Sequence, residues 1–201
     1  GKITLDGIDN EIEVFRDGYG IPHVRGRTTG DAFFGQGFVT AQDRLWHMEH
    51  DRRWAYGCWA EYIGPSGLGQ DSLMRRFRLR SSVEADYEAI NQETRAMLDT
   101  YAAGVNAYIG SMTTLPIEFQ MLDEVPALWD PMDCLAVFKA RHILLGVFEA
   151  KFWRARLVRM LGSEDAARIL PGYQAGHLTI LPPGDKYLGS IDNASLHITK
   201  D

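Results

Sequence analysis

The periodicity of the sequence changes once, near residue 28, and this change constrains the fold more than any other feature. Before it, Ile3–Leu5 and Glu11–Phe15 alternate apolar and polar residues between Asp-Gly turn signals, a pattern typical of β-strands. After it, residues 31–61 carry apolar side chains at spacings of three and four, which predicts a long helix. We therefore expect an α+β chain, mainly helical, with an N-terminal β segment over residues 1–25.

Residues suited to capping mark where the first and last long helices begin. Thr28 or Thr29 is expected to cap the first helix, because a hydroxyl there can accept a backbone N–H of the first turn. Asp130 followed by Pro131 predicts the start of a helix that continues to Leu161. Between them, apolar spacing predicts three further helices: Ser72–Arg80, Glu84–Ile90 and Gln92–Met112.

The pattern also suggests how the chain is divided. Helical periodicity covers residues 29–170, whereas residues 171–201 are rich in glycine and proline and show little periodicity. We expect a body formed by residues 1–170 and an irregular C-terminal segment formed by residues 171–201.

Composition and charge argue against two classes of partner. The 201 residues are 45% hydrophobic, as in a globular protein, and their formal net charge is −6. An acidic balance argues against a nucleic-acid binder, because such proteins present a basic face. The longest apolar stretch, Cys134–Phe148, contains Lys139, Arg141 and His142, so no run reaches the roughly eighteen residues of a membrane span. Neither nucleic acid nor membrane is expected as a partner.

A search by chemistry finds no complete catalytic set in the sequence. The string HMEHDRR places His47 and His50 on one helix face, which is a weak metal-site pattern, and a polar helix face is the favoured interpretation. Asp43 with Arg44, and Glu49 with Arg52 and Arg53, are expected to form an ion-pair lattice within one helix rather than an active-site network.

Four blocks of sequence, in the same order, resemble the α chain of the penicillin/cephalosporin acylase family. The resemblance runs from Val14 to Arg154 and is strongest toward the cephalosporin acylase and acyl-homoserine-lactone acylase branches, through AQDRLWHME and LPIEF. The longer blocks that carry it are VFRDGYGIPHVRG, GDAFFGQGFVTAQDRLWHMEHDRRWAYGCWAEYIG, YAAGVNAYI and LPIEFQMLDEVPALWDPMD. These enzymes are N-terminal-nucleophile hydrolases.

The resemblance implies that this chain is half of an enzyme. Family members are made as one precursor that cuts itself into an α chain and a longer β chain, which together complete an αββα core. The nucleophile is the first residue of the β chain, normally a serine whose own α-amino group acts as base. The implied substrate is a small N-acylated amine carrying a linear amide, and the implied location is the periplasm or the exterior. A non-catalytic binding module or a scaffold subunit remains as an alternative.

The resemblance also names residues for the wall of the acyl-binding pocket. Counting thirteen and seventeen positions on from Trp129 in the family pattern leads to His142 and Gly146. Leu145 and Glu149 share their helical spacing and complete the expected set, with no catalytic residue on this chain. Many relatives carry bulkier residues at the two counted positions, so the acyl preference of penicillin acylase does not transfer.

Some relatives bind a structural calcium ion through a glutamate late in the same helix, although the chemistry itself requires no cofactor. The matching position here is Phe152, which offers no oxygen, and Glu149 is the nearby candidate ligand.

Two conspicuous side chains are expected to be structural. Trp129 is interpreted as a core anchor rather than a stacking platform, because large aromatics are usually buried. In the family, no catalytic role is assigned to the histidine of the Gly-x-Pro-His block. His23 is therefore expected to hydrogen-bond within the turn that Gly20 and Pro22 set.

Overall fold

The alternating N-terminal segment forms a β-hairpin in the computed structural model. Strand β1 covers Glu13–Arg16 and pairs antiparallel with β2, Pro22–Arg25, in a register that sets Phe15 opposite His23. The predicted strand at residues 11–15 is thus present but shifted by one or two residues, whereas residues 3–5 form no strand. The hairpin positions His23 on β2, beside the turn.

The first helix, α1, spans Thr29–Tyr56 and begins with the predicted threonine cap. The Thr28 hydroxyl accepts the Asp31 N–H at 3.0 Å, and the Asp31 carboxylate accepts the Thr28 N–H at 2.9 Å. This reciprocal capping box satisfies two N–H groups that a helix start leaves unpaired. The helix is kinked at Arg44 (φ −140°, ψ 19°) and ends at Gly57, whose left-handed φ of 65° favours glycine.

Short elements follow α1, and a buried aspartate ties them together. The Asp71 carboxylate accepts the N–H groups of Trp59 and Ala60 at 3.0 and 2.7 Å. The predicted helix over residues 72–80 is divided, because Arg78 adopts a left-handed backbone (φ 52°) between two helices. In chain order the elements are α2 (Ala60–Ile63), a 3₁₀ turn (Gly64–Gly67), α3 (Leu68–Arg76) and α4 (Leu79–Ala89).

Helix α5, Gln92–Ser111, packs closely along α1. A Cβ atom added to Gly37 would lie 2.1 Å from the Tyr101 carbonyl oxygen, and one added to Gly104 would lie 2.0 Å from that of Phe34. Real Cβ atoms do not approach oxygen so closely, so the two glycines permit backbone contact between the helices.

The main core lies between α1, α5 and the segment that follows them. Helix α6, Ile117–Leu122, buries Phe119 completely, and Trp129 is only 6% exposed, which confirms its predicted role as an anchor. The buried cluster consists of Ala41, Leu45, Met48, Ala102, Val105, Phe119 and Trp129.

The predicted helix from residue 130 to residue 161 is in fact two helices. Helix α7 ends at Leu145 (Pro131–Leu145), and α8 begins at Phe148 (Phe148–Leu161), followed by α9, Ser163–Ile169. The Gly146 N–H bonds the carbonyl three residues earlier, at 3.2 Å, which tightens the last turn of α7. Glycine followed by β-branched Val147 is a weak point for helix continuation, so the prediction of one helix was wrong.

The chain divides into two compact units, residues 1–142 and residues 143–201. The structure describes residues 1–5, 7–8 and 10–171. Within that part, no helix is both long and apolar enough to cross a bilayer. The expected irregular C-terminal segment lies, apart from its first residue, outside the described residues.

Candidate functional site

Two of the predicted pocket residues lie in the last turn of α7. His142 Nδ1 donates to the Phe138 carbonyl oxygen at 3.2 Å, and the two rings lie 4.4 Å apart between centroids. Because Nδ1 carries this proton, Nε2 is the nitrogen that His142 can offer to another molecule. Leu145 is 82% exposed, which is unusual for a leucine and leaves its apolar surface unburied within this chain.

The other two predicted residues lie beyond α7. Gly146 is in the break between the helices, and Glu149 is an exposed residue in the first turn of α8. The expected single helical stripe of four residues is therefore not formed, since the spacing rule applies only within one helix.

The described residues supply little for a metal ion. Among them, no three or more histidine, cysteine, aspartate or glutamate side chains are grouped to hold one. Glu149 offers a single carboxylate, whereas Ca²⁺ takes six to eight oxygen ligands. These residues alone do not fit a calcium ion.

The start of α7 is fixed by hydrogen bonds on both sides. The Asp130 side chain accepts the Met132 N–H at 2.8 Å, and the Asp133 carboxylate accepts the Asp130 N–H at 3.0 Å, which confirms the predicted cap. Immediately before it, the Trp129 backbone exchanges two hydrogen bonds with the Asn106 side chain, at 2.7 and 2.9 Å. These contacts hold the first turn of α7 against α5.

A buried charge cluster links α1 to the start of α7. It consists of Glu49, Arg52, Arg53 and Asp133. Arg52 and Arg53 both bond Glu49, which confirms this part of the predicted lattice within α1, whereas Asp43 is paired with Arg16 of β1. Arg52 also reaches Asp133 Oδ2 at 3.1 Å and the Leu128 carbonyl at 2.8 Å. The side chains of Glu49, Arg52 and Asp133 are only 4%, 11% and 7% exposed, so these charges stabilise one another where water cannot.

The sequence did not reveal that this cluster extends beyond α1. Asp133 lies 81 residues from Arg52, and nothing in the local pattern distinguishes it from an ordinary first-turn aspartate. The only signal available was its position three residues after a cap, which explains its bond to the Asp130 N–H but not its ion pair.

The two histidines of α1 surround a carboxylate rather than a metal. Asp51 Oδ1 contacts His50 Nδ1 at 3.1 Å, and its Oδ2 lies 3.5 Å from His47 Nε2 and also contacts Arg141 of α7. Arg141 Nη2 also lies 3.2 Å from His47 Nε2, so both histidines belong to a polar cluster centred on Asp51. The polar interpretation of this helix face is the one that the contacts support.

Cys134 is not arranged as a nucleophile. Burial raises the pKa of its thiol to about 11, and the Trp129 indole N–H donates to the sulfur at 3.3 Å. A thiol with so high a pKa is almost fully protonated near neutral pH, which makes it unreactive.

His23 forms the turn contact that was expected. Its Nε2 lies 3.0 Å from Asp17 Oδ2, while Asp17 Oδ1 accepts the N–H groups of Tyr19 and Ile21 at 2.9 and 3.0 Å. The hydrogen bond from His23, followed by the backbone donors, lowers the pKa of Asp17, and the imidazole stacks on Phe15. His23 thus organises the hairpin turn.

Comparison with known proteins gives one consistent result. The sequence profile of the penicillin amidase family matches residues 11–194. The penicillin acylase 2 proenzyme of Pseudomonas sp. (strain SE83) is 36% identical over 92% of this chain and 24% of its own length. The acyl-homoserine lactone acylase QuiP of Pseudomonas aeruginosa is 31% identical over 86% of this chain and 21% of its own. The chain therefore spans about a quarter of the length of these relatives.

One solved structure is matched over almost its entire chain, unlike the two longer relatives above. The thermostable penicillin G acylase from Alcaligenes faecalis superimposes with a TM-score of 0.66 at 25% identity, over 87% of this chain and 98% of the matched chain. The matched chain is thus similar in length to this one. Its likeness covers the mainly helical architecture described above.

Proposed function

The chain belongs to the penicillin amidase family, and from that premise we propose that it is the α subunit of a heterodimeric acylase. The enzyme would hydrolyse the linear amide of a small N-acylated amine, such as an acyl-homoserine lactone or a β-lactam side chain. The observation that carries this proposal is the contrast in coverage: 24% of a proenzyme, but 98% of one chain in a solved penicillin G acylase. A processed two-chain enzyme accounts for both numbers.

In this proposal, the partner chain carries the groups that break the amide bond. Its first residue would attack the amide carbonyl, with its α-amino group taking the hydroxyl proton and later delivering one to the departing amine. Water would then hydrolyse the acyl-enzyme, which releases the carboxylic acid. This chain would hold the acyl group in place, which matters because positioning reacting atoms can supply much of the rate.

The end of α7 is suited to this binding role. The helix begins at a capped turn held by the buried charge cluster, so its backbone is fixed at that end. Leu145 offers exposed apolar surface, and Gly146 offers space where a side chain would otherwise stand. His142 Nε2 would make a polar contact. An acyl chain could therefore extend past Gly146 against Leu145.

Exposed apolar residues support an obligate partner. Large apolar side chains are exposed on both units and would be covered in an assembly. They include Tyr19, Ile117, Met121, Leu128, Leu145, Trp153 and Met160. We expect an interface well above the standard size of about 1,600 Å², as in obligate complexes. The isolated chain should then aggregate or melt without a sharp transition, and a monodisperse monomer with a sharp transition would contradict this.

The decisive experiment identifies the second polypeptide. The chain is purified from cells that express its whole gene, and the complex is treated with a serine-reactive sulfonyl fluoride. We expect covalent label on the first residue of a longer chain, together with acid release from N-acyl substrates. A heat-denatured sample is the control and should not be labelled, since activation requires the folded site. A non-catalytic binding or scaffold subunit would give neither label nor hydrolysis.

The calcium ion and the location are further parts of the proposal. Glu149 would give one ligand, and the remaining oxygens would come from the partner. Unfolding of the complex with and without a chelator tests this, because an unchanged midpoint would remove the ion. We also expect the complex in the periplasm or outside the cell, and cell fractionation with an antibody against this chain tests that location.

A further inference from the structure

A cleft of about 270 Å³ opens where α1, α3 and α4 meet. We call it the arginine cleft; its lining residues are Ala55, Tyr56, Cys58, Met74, Arg75, Arg78, Leu79 and Arg80. Its volume lies just below the range typical of pockets for drug-sized molecules, so it suits a smaller ligand.

The inner wall of the cleft is apolar and firmly held. Met74 and Leu79 are 2% and 6% exposed, and Ala55 is 1% exposed. The Tyr56 ring stands beside them, with its hydroxyl hydrogen-bonded to Asp133. Because that hydroxyl is engaged, Tyr56 contributes mainly its ring surface to the cleft. The wall is therefore preformed rather than dependent on a moving loop.

The mouth of the cleft is basic. The Arg80 guanidinium lies 4.3 Å from the centre of the Tyr56 ring, and Arg75 Nε donates to the Gly57 carbonyl at 2.7 Å. Arg78 lies on the turn between them, with its strained left-handed backbone. Within the described chain, none of these three arginines is ion-paired with a carboxylate.

Three arginines without a carboxylate partner therefore lie together around one cleft. The chain is acidic, with a net charge of −6, and several other arginines, such as Arg16, Arg52 and Arg141, are bonded to carboxylates. Unpaired guanidinium groups beside a preformed apolar wall match a ligand that is negative at one end and apolar at the other. The first turn of α4, which has no side-chain cap, adds favourable partial positive charge.

We propose that the arginine cleft binds a small organic oxyanion, a carboxylate or phosphate group carried on an apolar body. The oxyanion would bond the Arg80 and Arg75 guanidinium groups at the mouth, with Arg78 adding positive charge. The apolar body would pack on Tyr56, Met74 and Leu79. The inference does not depend on the proposed acylase function, because binding rather than turnover is its measure.

The test compares two probes that differ only in charge. The complex containing the full chain is titrated calorimetrically with benzoate and with neutral benzamide at low salt, and inorganic phosphate tests the anion without an apolar body. We expect benzoate to bind with a Kd of about 1 mM, and benzamide and phosphate to bind at least about tenfold more weakly. Equal heats from benzoate and benzamide would overturn the proposal whatever the variants do.

Substitutions then locate the site. Arg80→Gln should weaken benzoate about tenfold, because it removes a charge-assisted hydrogen bond, and Arg80→Lys should retain part of the affinity. Arg76→Gln is the matched control: it removes the same charge from a residue that follows Arg75 directly but does not line the cleft, and affinity should change by less than about twofold. If Arg76→Gln weakens benzoate as much as Arg80→Gln, the anion binds to general surface charge and the proposed site is wrong.

Discussion

The two units of this chain differ in how far they bury apolar and charged side chains. In residues 1–142, α1 and α5 approach through glycines, and a core of buried side chains lies between them and the segment that follows. In the described part of residues 143–201, α8 and α9 bury only Ala155, Val158 and Ala166, while Trp153 and Met160 are 60% and 74% exposed.

Exposed ion pairs occur in both units, but the described part of the second has no counterpart to the buried charge cluster of the first. The buried charge cluster of the first unit excludes water, whereas Arg168 of the second unit is 71% exposed and bonds Glu164 and Asp165 on its own helix. Both units expose large apolar side chains, but only the first combines them with an extensive core and a buried charge cluster. The difference indicates that most of the folding free energy comes from the first unit, whereas surface for a partner is present on both.

The largest expected difference in stability comes from removing one arginine from each unit. Arg52→Met leaves Asp133 buried without its arginine partner and Glu49 with Arg53 alone, and it should lower the free energy of unfolding by about 3–5 kcal/mol. Arg168→Met removes an exposed helix pair and should cost less than about 1 kcal/mol. Urea unfolding of the complex measures both. Equal losses would show that the charges of the two units are not energetically different.

A smaller loss is expected where the two long helices touch. Gly104→Ala places a methyl group on the Phe34 carbonyl, so the helices must separate, at a cost of about 1–3 kcal/mol. Gly110→Ala, on the same helix with open space around it, should instead stabilise by about 0.5–1 kcal/mol. Circular-dichroism melting checks the pair, and similar behaviour of both variants would contradict the close contact.

The next prediction concerns recognition rather than stability. Gly146→Phe should leave the first unit intact but fill the space proposed for the acyl group. Preference between long and short acyl chains, measured as the ratio of kcat/KM values, should then shift by roughly 10–200-fold. Gly110→Phe is the control for a bulky residue at an open position. If Gly146→Phe self-processes and leaves the ratio unchanged, this part of the chain does not line the pocket.

The smallest effect is expected at the hairpin, and it depends on pH. Because the pKa of Asp17 is lowered in the folded chain, its stabilising contribution is present above its unfolded value near 3.8 and is lost as the pH falls through the folded value. His23→Ala should therefore be slightly less stable than wild type at pH 6, and the difference should shrink at acidic pH.

His23→Gln provides the control, since its amide N–H can still donate to Asp17. Melting curves between pH 2 and pH 7 compare the three proteins, and turnover of the mature enzyme should change less than stability. Normal assembly with a lost kcat would reverse the structural interpretation of His23.

Local signals in the sequence determined where two helices begin, which charges pair within α1 and which type of secondary structure each region forms. The threonine at residue 28 and the aspartate at residue 130 were identified as caps, because a cap depends only on the next three residues. The ion pairs of Glu49 with Arg52 and Arg53 followed from spacing on one helix. The helical character and the presence of β structure before residue 28 followed from periodicity, whereas the pairing of β1 with β2 was not predicted.

Only the tertiary structure decided the features that join distant residues. The contact between Arg52 and Asp133, the approach of Gly104 to Phe34 and the convergence of the cleft arginines on Tyr56 all depend on how the helices pack. The break at Gly146 was also decided by the tertiary structure. Glycine weakens a helix, but packing decides whether the helix ends there. Periodicity records that a face is buried, not which partner buries it, so sequence alone predicts elements and their caps but not the contacts between them.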